Sequence, residues 1–482
     1  MNRDTFFIGG EWVEPTGTGR LPVISPATED LIATVPDATV ADLDRAVASA
    51  RDAFDRGPWP RMSPAERADV LTAMSSALQA RHDEIARLVT EEMGSPISFS
   101  IFAQSLATTM VLDYYAALAR DYQFDEMRAG TISSSLVVRE PVGVVGAIVP
   151  WNMPLLCAVT KVASALAAGC AVVLKPAPET PLDAYILAEA AEAAGLPPGV
   201  LNIVAAGRQV GERIVTHPEV DKISFTGSAV AGRRVASLCG EQMKRCTLEL
   251  GGKSAAIILD DANLSTLIPQ LMPFALLNNG EACVAQTRIL ASRARYSETV
   301  DAIAAAMDEQ KVGDPLDPET TIGPLFAQRH RTRVEDYIAK GTGEGAKLIV
   351  GGGRPTGFDR GWYVEPTLFA DVNNAMTIAR EEIFGPVLAV IPYDDTDDAV
   401  AIANDSDYGL SGSVWTADER AGLSIARRVR TGTYGINGLM GDFGSPAGGF
   451  KQSGIGRELG PEGLEAFLEL KTIVLPPGFA SA

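Results

Sequence analysis

Cysteine is scarce in this sequence, five residues among 482. The number is odd and no Cys-x-x-Cys pair occurs. That excludes a disulfide framework and a cysteine-based zinc site, and it suits free thiols in a reducing compartment. Histidine is scarcer still. His82, His217 and His330 lie far apart without metal-ligand spacing, so no metal is expected. Positive charge is in deficit, with 41 Lys and Arg against 61 Asp and Glu and a formal net charge of -20. That balance argues against nucleic-acid phosphates or anionic membranes as partners. The opening MNRDTFFIGGEWV lacks the charged start, apolar core and cleavage site of a signal peptide, so a cytoplasmic location is expected. One uncharged run, 141–160, is long enough to span a bilayer, but Pro150, Asn152 and Pro154 break it at its centre. It reads better as a buried strand, a turn and a helix. The glycine-rich G-x-G-x-x-G of a dinucleotide site is also missing. Gly454-Ile455-Gly456 resembles its start but follows no strand in the right context.

What is present is ample core material, 46% hydrophobic residues, in a chain too long for one core, so two or three domains are expected. Residues 40–55 put Leu43, Val47, Ala50 and Phe54 on one helical stripe, and Thr39 with Asp42 forms a capping box at its start. More helical patterns follow to about residue 120. From 142 the rhythm changes. VVGAIV, AVVLK (171–175), VLNIVA (200–205), KISFTG (222–227) and TLELGG (247–252) are short apolar runs separated by helical stretches, one of them ended by Gly195 and Pro197-Pro198. Such alternation predicts right-handed βαβ units in a doubly wound parallel sheet. A second alternation from Ala255 past residue 430 predicts another α/β domain. GTISSSLVVRE (130–140) and the C-terminal LELKTIVLPPG have no helical period and look like strand excursions able to pair as a small separate sheet.

NNGEACVAQTR (278–288) sets Cys283 among small and polar neighbours behind a turn-like Asn-Asn-Gly. Taken alone, a free cysteine reads first as a small buried hydrophobe, since only a thiolate is a nucleophile. SFTGSAVAG (224–232) runs from a strand through Gly227 and Ser228 into a helix. Gly227 permits close backbone approach and the helix N-terminus offers free N–H groups to a pyrophosphate. An ordinary turn capped by Ser228 fits the same letters. PWNMP (150–154) puts Trp151 and Asn152 where a strand ends, the ligand-binding edge of open α/β sheets. Asn152 could donate to an oxyanion, although a plain helix cap is the favoured local reading. Lys175, ending the next strand, is placed for a ribose or phosphate, or else solvated. Glu249 lies inside the apolar TLELGG. Buried, its carboxyl would have a raised pKa and could act as a general base; at a strand edge it would face water.

Together, PWN, KPAPET, FTGSxxxG, LELGGK, the Asn-Gly-x-x-Cys at Cys283, EEIFGPV (381–387), NxxxYGL (404–410) and GGFKxSGxGRELG (448–460) resemble, in order and spacing, the aldehyde dehydrogenase superfamily. The likeness runs from IGGEWV (8–13) to ELKTI (469–473). It implies a Rossmann-like doubly wound cofactor domain (1–122 and 142–251), a second α/β catalytic domain (252–448) and a small β oligomerisation excursion (123–141 and 449–482). It implies a homotetramer, with a homodimer as the second choice. Cys283 would be the nucleophile toward an aldehyde, its thiolate favoured by an electropositive environment and bound cofactor. The Asn152 amide and the Cys283 N–H would hold the oxyanion, and Glu249 would activate the water that hydrolyses the thioester.

By the same resemblance, NAD or NADP would lie across Ile148, Trp151, Lys175, Gly207, Gly211, Gly227, Ser228, Gly232 and Leu250, with Glu382 and Phe384 near the nicotinamide ribose. Many NAD-preferring members carry a glutamate three residues after the ribose-binding lysine. Here that position is Pro178, followed by Glu179. The choice of cofactor therefore stays open, with NAD the favoured of the two. Met153, Cys157, Thr160, Ala282 and Ala447 should face the substrate. Most are small and none is an arginine, which implies a roomy apolar pocket for medium-size apolar or aromatic aldehydes. Two alternatives are a CoA-acylating dehydrogenase, against which Glu249 argues, and a non-catalytic binding protein, against which the intact Cys283, Glu249 and Asn152 argue.

Overall fold

The computed structural model describes residues 3–439, 441–476 and 479. Residues 1–2, 440, 477–478 and 480–482, which fall within the expected segments 1–122, 252–448 and 449–482, lie outside the described residues. The first sheet has Val144–Ile148 at its centre. Ala171–Lys175 and Leu201–Ile203 follow on one side, Lys222–Thr226 and Arg245–Glu249 on the other, all parallel. The strand order therefore reverses between Val144–Ile148 and Lys222–Thr226. Loops leaving the carboxyl ends of these two strands diverge there, opening the crevice in which doubly wound sheets bind ligands. Residues 150–152 and 227–228 are those loops.

Val144, Val145, Val172, Val173 and Leu174 are fully buried, as continuous apolar strands covered on both faces must be. Each such side chain contributes about 1.5–3 kcal/mol on burial. The helix Pro154–Ala168 is apolar nearly all round and is buried along almost its whole length, which fixes the turn before it. The uncharged run 141–160 is thus strand, turn and helix, and among the described residues no helix is long and apolar enough to cross a membrane.

A second sheet runs, in spatial order, Lys347–Val350, Thr367–Ala370, Val387–Tyr393, Arg288–Ser292, Ala255–Ile258, Gly412–Trp415 and Gly435–Ile436, parallel except at its first strand. The excursions do pair: Leu468–Val474 lies antiparallel on Ser135–Pro141, which also carries Asp125–Arg128. One part of 449–482 behaves otherwise. Gly454–Ile455 forms a short antiparallel edge beside Arg245–Glu249, so the Gly454-Ile455-Gly456 stretch closes the first sheet's edge.

Candidate active site

Three consecutive residues in the left-handed region build the cysteine loop: Asn278 (φ 53°), Asn279 (φ 60°) and Gly280 (φ 75°). Asparagine tolerates this region better than most side chains, and here each amide is also consumed by the fold. Asn278 Nδ2 donates to the Asn152 carbonyl at 2.9 Å, and its Oδ1 accepts from the Ser95 hydroxyl. Asn279 Nδ2 donates to the Gly94 and Pro324 carbonyls at 3.0 and 3.1 Å, while its Oδ1 accepts from Gly323 N at 2.7 Å. Gly280 packs directly on another loop; a Cβ there would stand 2.2 Å from the Gly385 carbonyl carbon. This bracing delivers Cys283, half-buried, into a cleft of about 590 Å³.

That cleft brings together Trp151, Asn152, Gly227, Ser228, Leu250, Cys283, Glu382 and Phe384 of the expected residues. Asn152 is not a helix cap. The cap position is Met153, which makes no side-chain capping bond. Asn152 is buried and its Nδ2 donates one hydrogen to the Glu281 carbonyl at 2.9 Å, leaving a second amide hydrogen in the cleft that Cys283 also lines. Glu249 does not simply face water. It is half-buried, its Oε1 is sealed from solvent without a partner, and burial with the Glu458 charge pushes its carboxyl well above the usual range, against the opposing pull of Lys161 and Arg457. Gly448 makes room for it: a Cβ there would lie 2.7 Å from Glu249 Oε1. Behind Glu249, Lys161 Nζ pairs with Glu458 Oε1.

The expected electropositive setting of Cys283 is absent. Burial pushes its thiol up, and Cys157, Glu382 and Glu249 push in the same direction.

The cofactor residues fall into two groups. In the cleft, Gly227 N donates to the Glu249 carbonyl at 3.0 Å. Ser228 does cap the helix Ala229–Glu241, its Oγ accepting from Ala231 N at 3.3 Å, while the other first-turn N–H groups keep no intrahelical partner. The capping reading of this turn holds, and free N–H groups remain at the same helix end. Leu250 packs on Gly232, and Ile148 is buried at the end of its strand. Glu382 Oε1 accepts from Gly252 N at 2.8 Å, and burial pushes its carboxyl up to about 7. Phe384 holds φ 66°. The second group surrounds Lys175. Far from solvated, it is buried, donates to the Pro176 and Ala206 carbonyls at 2.9 Å each, and is pulled down to about 8 by burial. Gly211 lies against its stem, and Gly207 stands at the N-cap of Arg208–Thr216. Glu179 is paired with Arg329.

Of the substrate candidates, Met153 caps the helix Pro154–Ala168 and Cys157 and Thr160 lie on it, while Ala282 and Ala447 lie elsewhere; none of the five lines the cleft. Met153 and Cys157 are half-buried, with the Cys157 thiol pushed up to about 12 by burial. Thr160 is buried and donates to the Leu156 carbonyl at 2.8 Å. Ala282 is buried beside Cys283, and half-buried Ala447 exchanges backbone bonds with Glu458 at 2.7 and 2.8 Å. Among the described residues no group of three or more His, Cys, Asp or Glu could hold a metal.

Sequence reasoning missed His330, Arg333 and Tyr337, which also line the cleft. They occupy one face of the helix Gln328–Gly343 at spacings of three and four, a stripe legible in the sequence but with nothing to say what it faces. It braces the Glu382 loop. Arg333 Nη2 donates to the Glu382 carbonyl at 2.7 Å and Tyr337 OH to Glu381 Oε2 at 2.6 Å.

The sequence matches the description "Aldehyde dehydrogenase family" over residues 12–473. It is 51% identical to the geranial dehydrogenase of Castellaniella defragrans, covering 98% of this chain and 99% of that one, and 45% identical to a 3-succinoylsemialdehyde-pyridine dehydrogenase of a Pseudomonas species, covering 97% and 98%. Among solved structures, a Mycobacterium tuberculosis aldehyde dehydrogenase complexed with NAD+ superposes with a TM-score of 0.99 at 51% identity, covering 100% of both chains. An aldehyde dehydrogenase of Pseudomonas syringae, complexed with NAD+ and octanal, superposes with a TM-score of 0.95 at 41% identity, covering 99% and 97%. The chain belongs to the aldehyde dehydrogenase family, as an oxidoreductase that uses an NAD-type cofactor to convert aldehydes to acids.

Proposed function

We propose that Cys283 is the nucleophile, Asn152 the oxyanion donor and Glu249 the hydrolytic base of this reaction. The observation that carries the reading is the convergence on one cleft of a half-buried thiol and an amide with one N–H anchored and one free, with Glu249 close enough to raise that thiol. As a thiolate, its proton given up to solvent, the Cys283 sulfur bonds to the aldehyde carbon, and the carbonyl electron pair moves to oxygen, where Asn152 Nδ2 and the Cys283 N–H donate to it. When bound, the oxidised nicotinamide supplies a positive charge near the thiol and the hydride acceptor. Loss of hydride leaves a thioester on Cys283. Glu249, ionised, takes a proton from water, whose oxygen attacks the thioester carbon and expels the sulfur.

The bound cofactor would run from Lys175, Gly207 and Gly211, past Ile148, Gly232 and Leu250, to Gly227 and Ser228 at the helix N-terminus. Glu382 and Phe384 would hold its nicotinamide end beside Trp151. We propose NAD as the preferred form, on the NAD+ complexes of the two similar structures. Residues 1–122 and 142–251 would form the cofactor domain, 252–448 the catalytic domain, and 123–141 with 449–482 the contacts of a homotetramer. Five free cysteines suit a cytoplasmic setting.

For substrates, small residues at Cys157, Thr160, Ala282 and Ala447 favour medium-size apolar or aromatic aldehydes. The names of the similar proteins, geranial dehydrogenase and an octanal complex, point the same way. Each methylene left without apolar contact forfeits about 0.8 kcal/mol, close to fourfold in kcat/KM. A panel of aldehydes assayed with NAD and NADP tests this. Geranial and octanal should exceed acetaldehyde and succinic semialdehyde, and Ala447→Phe should penalise the larger pair selectively. A best rate with acetaldehyde or succinic semialdehyde would contradict it.

A further inference from the structure

Glu281 lies two residues before Cys283 and is completely buried. The chemistry above makes no use of its carboxyl. Its main chain and side chain nevertheless reach opposite halves of the site. The carbonyl accepts from Asn152 Nδ2 at 2.9 Å. The carboxyl Oε1 accepts from Phe326 N at 3.1 Å and lies 3.6 Å from His330 Nε2, while Oε2 has no partner. His330 Nε2 in turn stands 2.5 Å from the Phe384 carbonyl, which can only accept, so that nitrogen carries the hydrogen. Phe384 holds a left-handed backbone, a state that persists only where its surroundings impose it. Trp151 ties the group together, stacked on Phe326 at 3.4 Å and edge-on to His330 and Phe384 at 5.5 Å each.

The charges around Glu281 are few. His330 is the titratable group against it, and burial lowers that imidazole to about 4, with Arg333 and Arg329 acting in the same direction. Burial holds the Glu281 carboxyl well above the usual range, against the hydrogen bond from Phe326 N.

We propose that Glu281 is the positioning residue that ties the Cys283–Asn152 half of the site to the Phe384 loop: its main chain holds the Asn152 amide and its carboxyl holds Phe326 N, whose ring packs on His330. Truncating it would free Phe326 N and loosen the support of Phe384. The inference rests on the roles proposed for Cys283 and Asn152.

The test is a double-mutant cycle on kcat/KM with Glu281→Ala, His330→Ala and the pair, and with Glu281→Gln as rescue. Displacements of about 1 Å at a site cost up to about 100-fold, so each alanine should lower kcat/KM about 10- to 100-fold. Because the two act in one chain of contacts, the double variant should fall no more than about threefold below the worse single one. Glutamine, whose carbonyl oxygen can still accept from Phe326 N, should restore kcat/KM to within about threefold of wild type. Multiplying losses in the double variant, a glutamine as poor as alanine, or an alanine within about twofold of wild type would each overturn the proposal. If the alanine variants do not fold, the glutamine variant decides alone, a tenfold loss or more at neutral pH overturning it. Full activity in Cys283→Ala would instead refute the underlying roles, whatever the Glu281 variants do.

Discussion

Glu249 shows how burial assigns a role to a single side chain. Inside a strand its carboxyl loses solvent, with the Glu458 charge nearby, and both favour the protonated acid. A base must be ionised, and for an acid with a raised pKa the ionised fraction grows as pH rises through that raised value. The steady-state kcat should therefore climb with pH across a range above that of an ordinary carboxylate, and Glu249→Gln should flatten the climb. The same variant should lose about 100- to 10,000-fold in steady turnover yet still give a burst of reduced cofactor with a reactive aldehyde. Stopped-flow absorbance separates the phases, and loss of the burst together with turnover would place Glu249 before the thioester. At this scale the local letters misled more than once. Asn152 reads as a cap and Lys175 as a solvated lysine, because what buries them comes from far along the chain: the Glu281 carbonyl for one, the Ala206 carbonyl for the other. The fold corrects both local readings. Family resemblance, carried by the joint motifs, did not reveal the acidic setting of Cys283, nor Glu281 and His330.

Elements were more legible. The parallel strands flanking the crevice are short, Val144–Ile148 wholly apolar and Lys222–Thr226 carrying Ile223 and Phe225 into the core, and the capping box at Thr39 forms as read, Asp42 N donating to Thr39 Oγ1 at 3.2 Å and Thr39 N to Asp42 Oδ2 at 2.9 Å. Asp125–Arg128 was not legible as a strand, since DEMR is polar and largely exposed and is defined by its pairing with Ser135–Pro141. The turn Asn-Asn-Gly was visible, but its purpose, pressing the cysteine loop against Gly385, needed the fold. Gly280→Ala should force those loops apart, since φ is positive and the added carbon would overlap the Gly385 carbonyl. Activity should fall about 100-fold with a lowered Tm, checked by kcat/KM alongside a thermal melt. Wild-type kcat/KM in that variant would contradict the packing argument.

For the whole molecule, the three-stranded excursion sheet leaves Leu470, Val474 and Met127 exposed on strands with free edges. Such edges invite pairing, and closed symmetric assemblies satisfy them. Light scattering at micromolar concentration should report four copies of the 50.9 kDa chain. Two copies would support the second choice, and a monomer would refute both. The central claim, that oxidation passes through a covalent bond to Cys283, is tested most directly by the steady-state turnover of Cys283→Ala. Without the sulfur no thioester can form, so turnover should fall by at least about 1,000-fold while the protein still folds and binds NAD. Turnover within about tenfold of wild type would contradict the account.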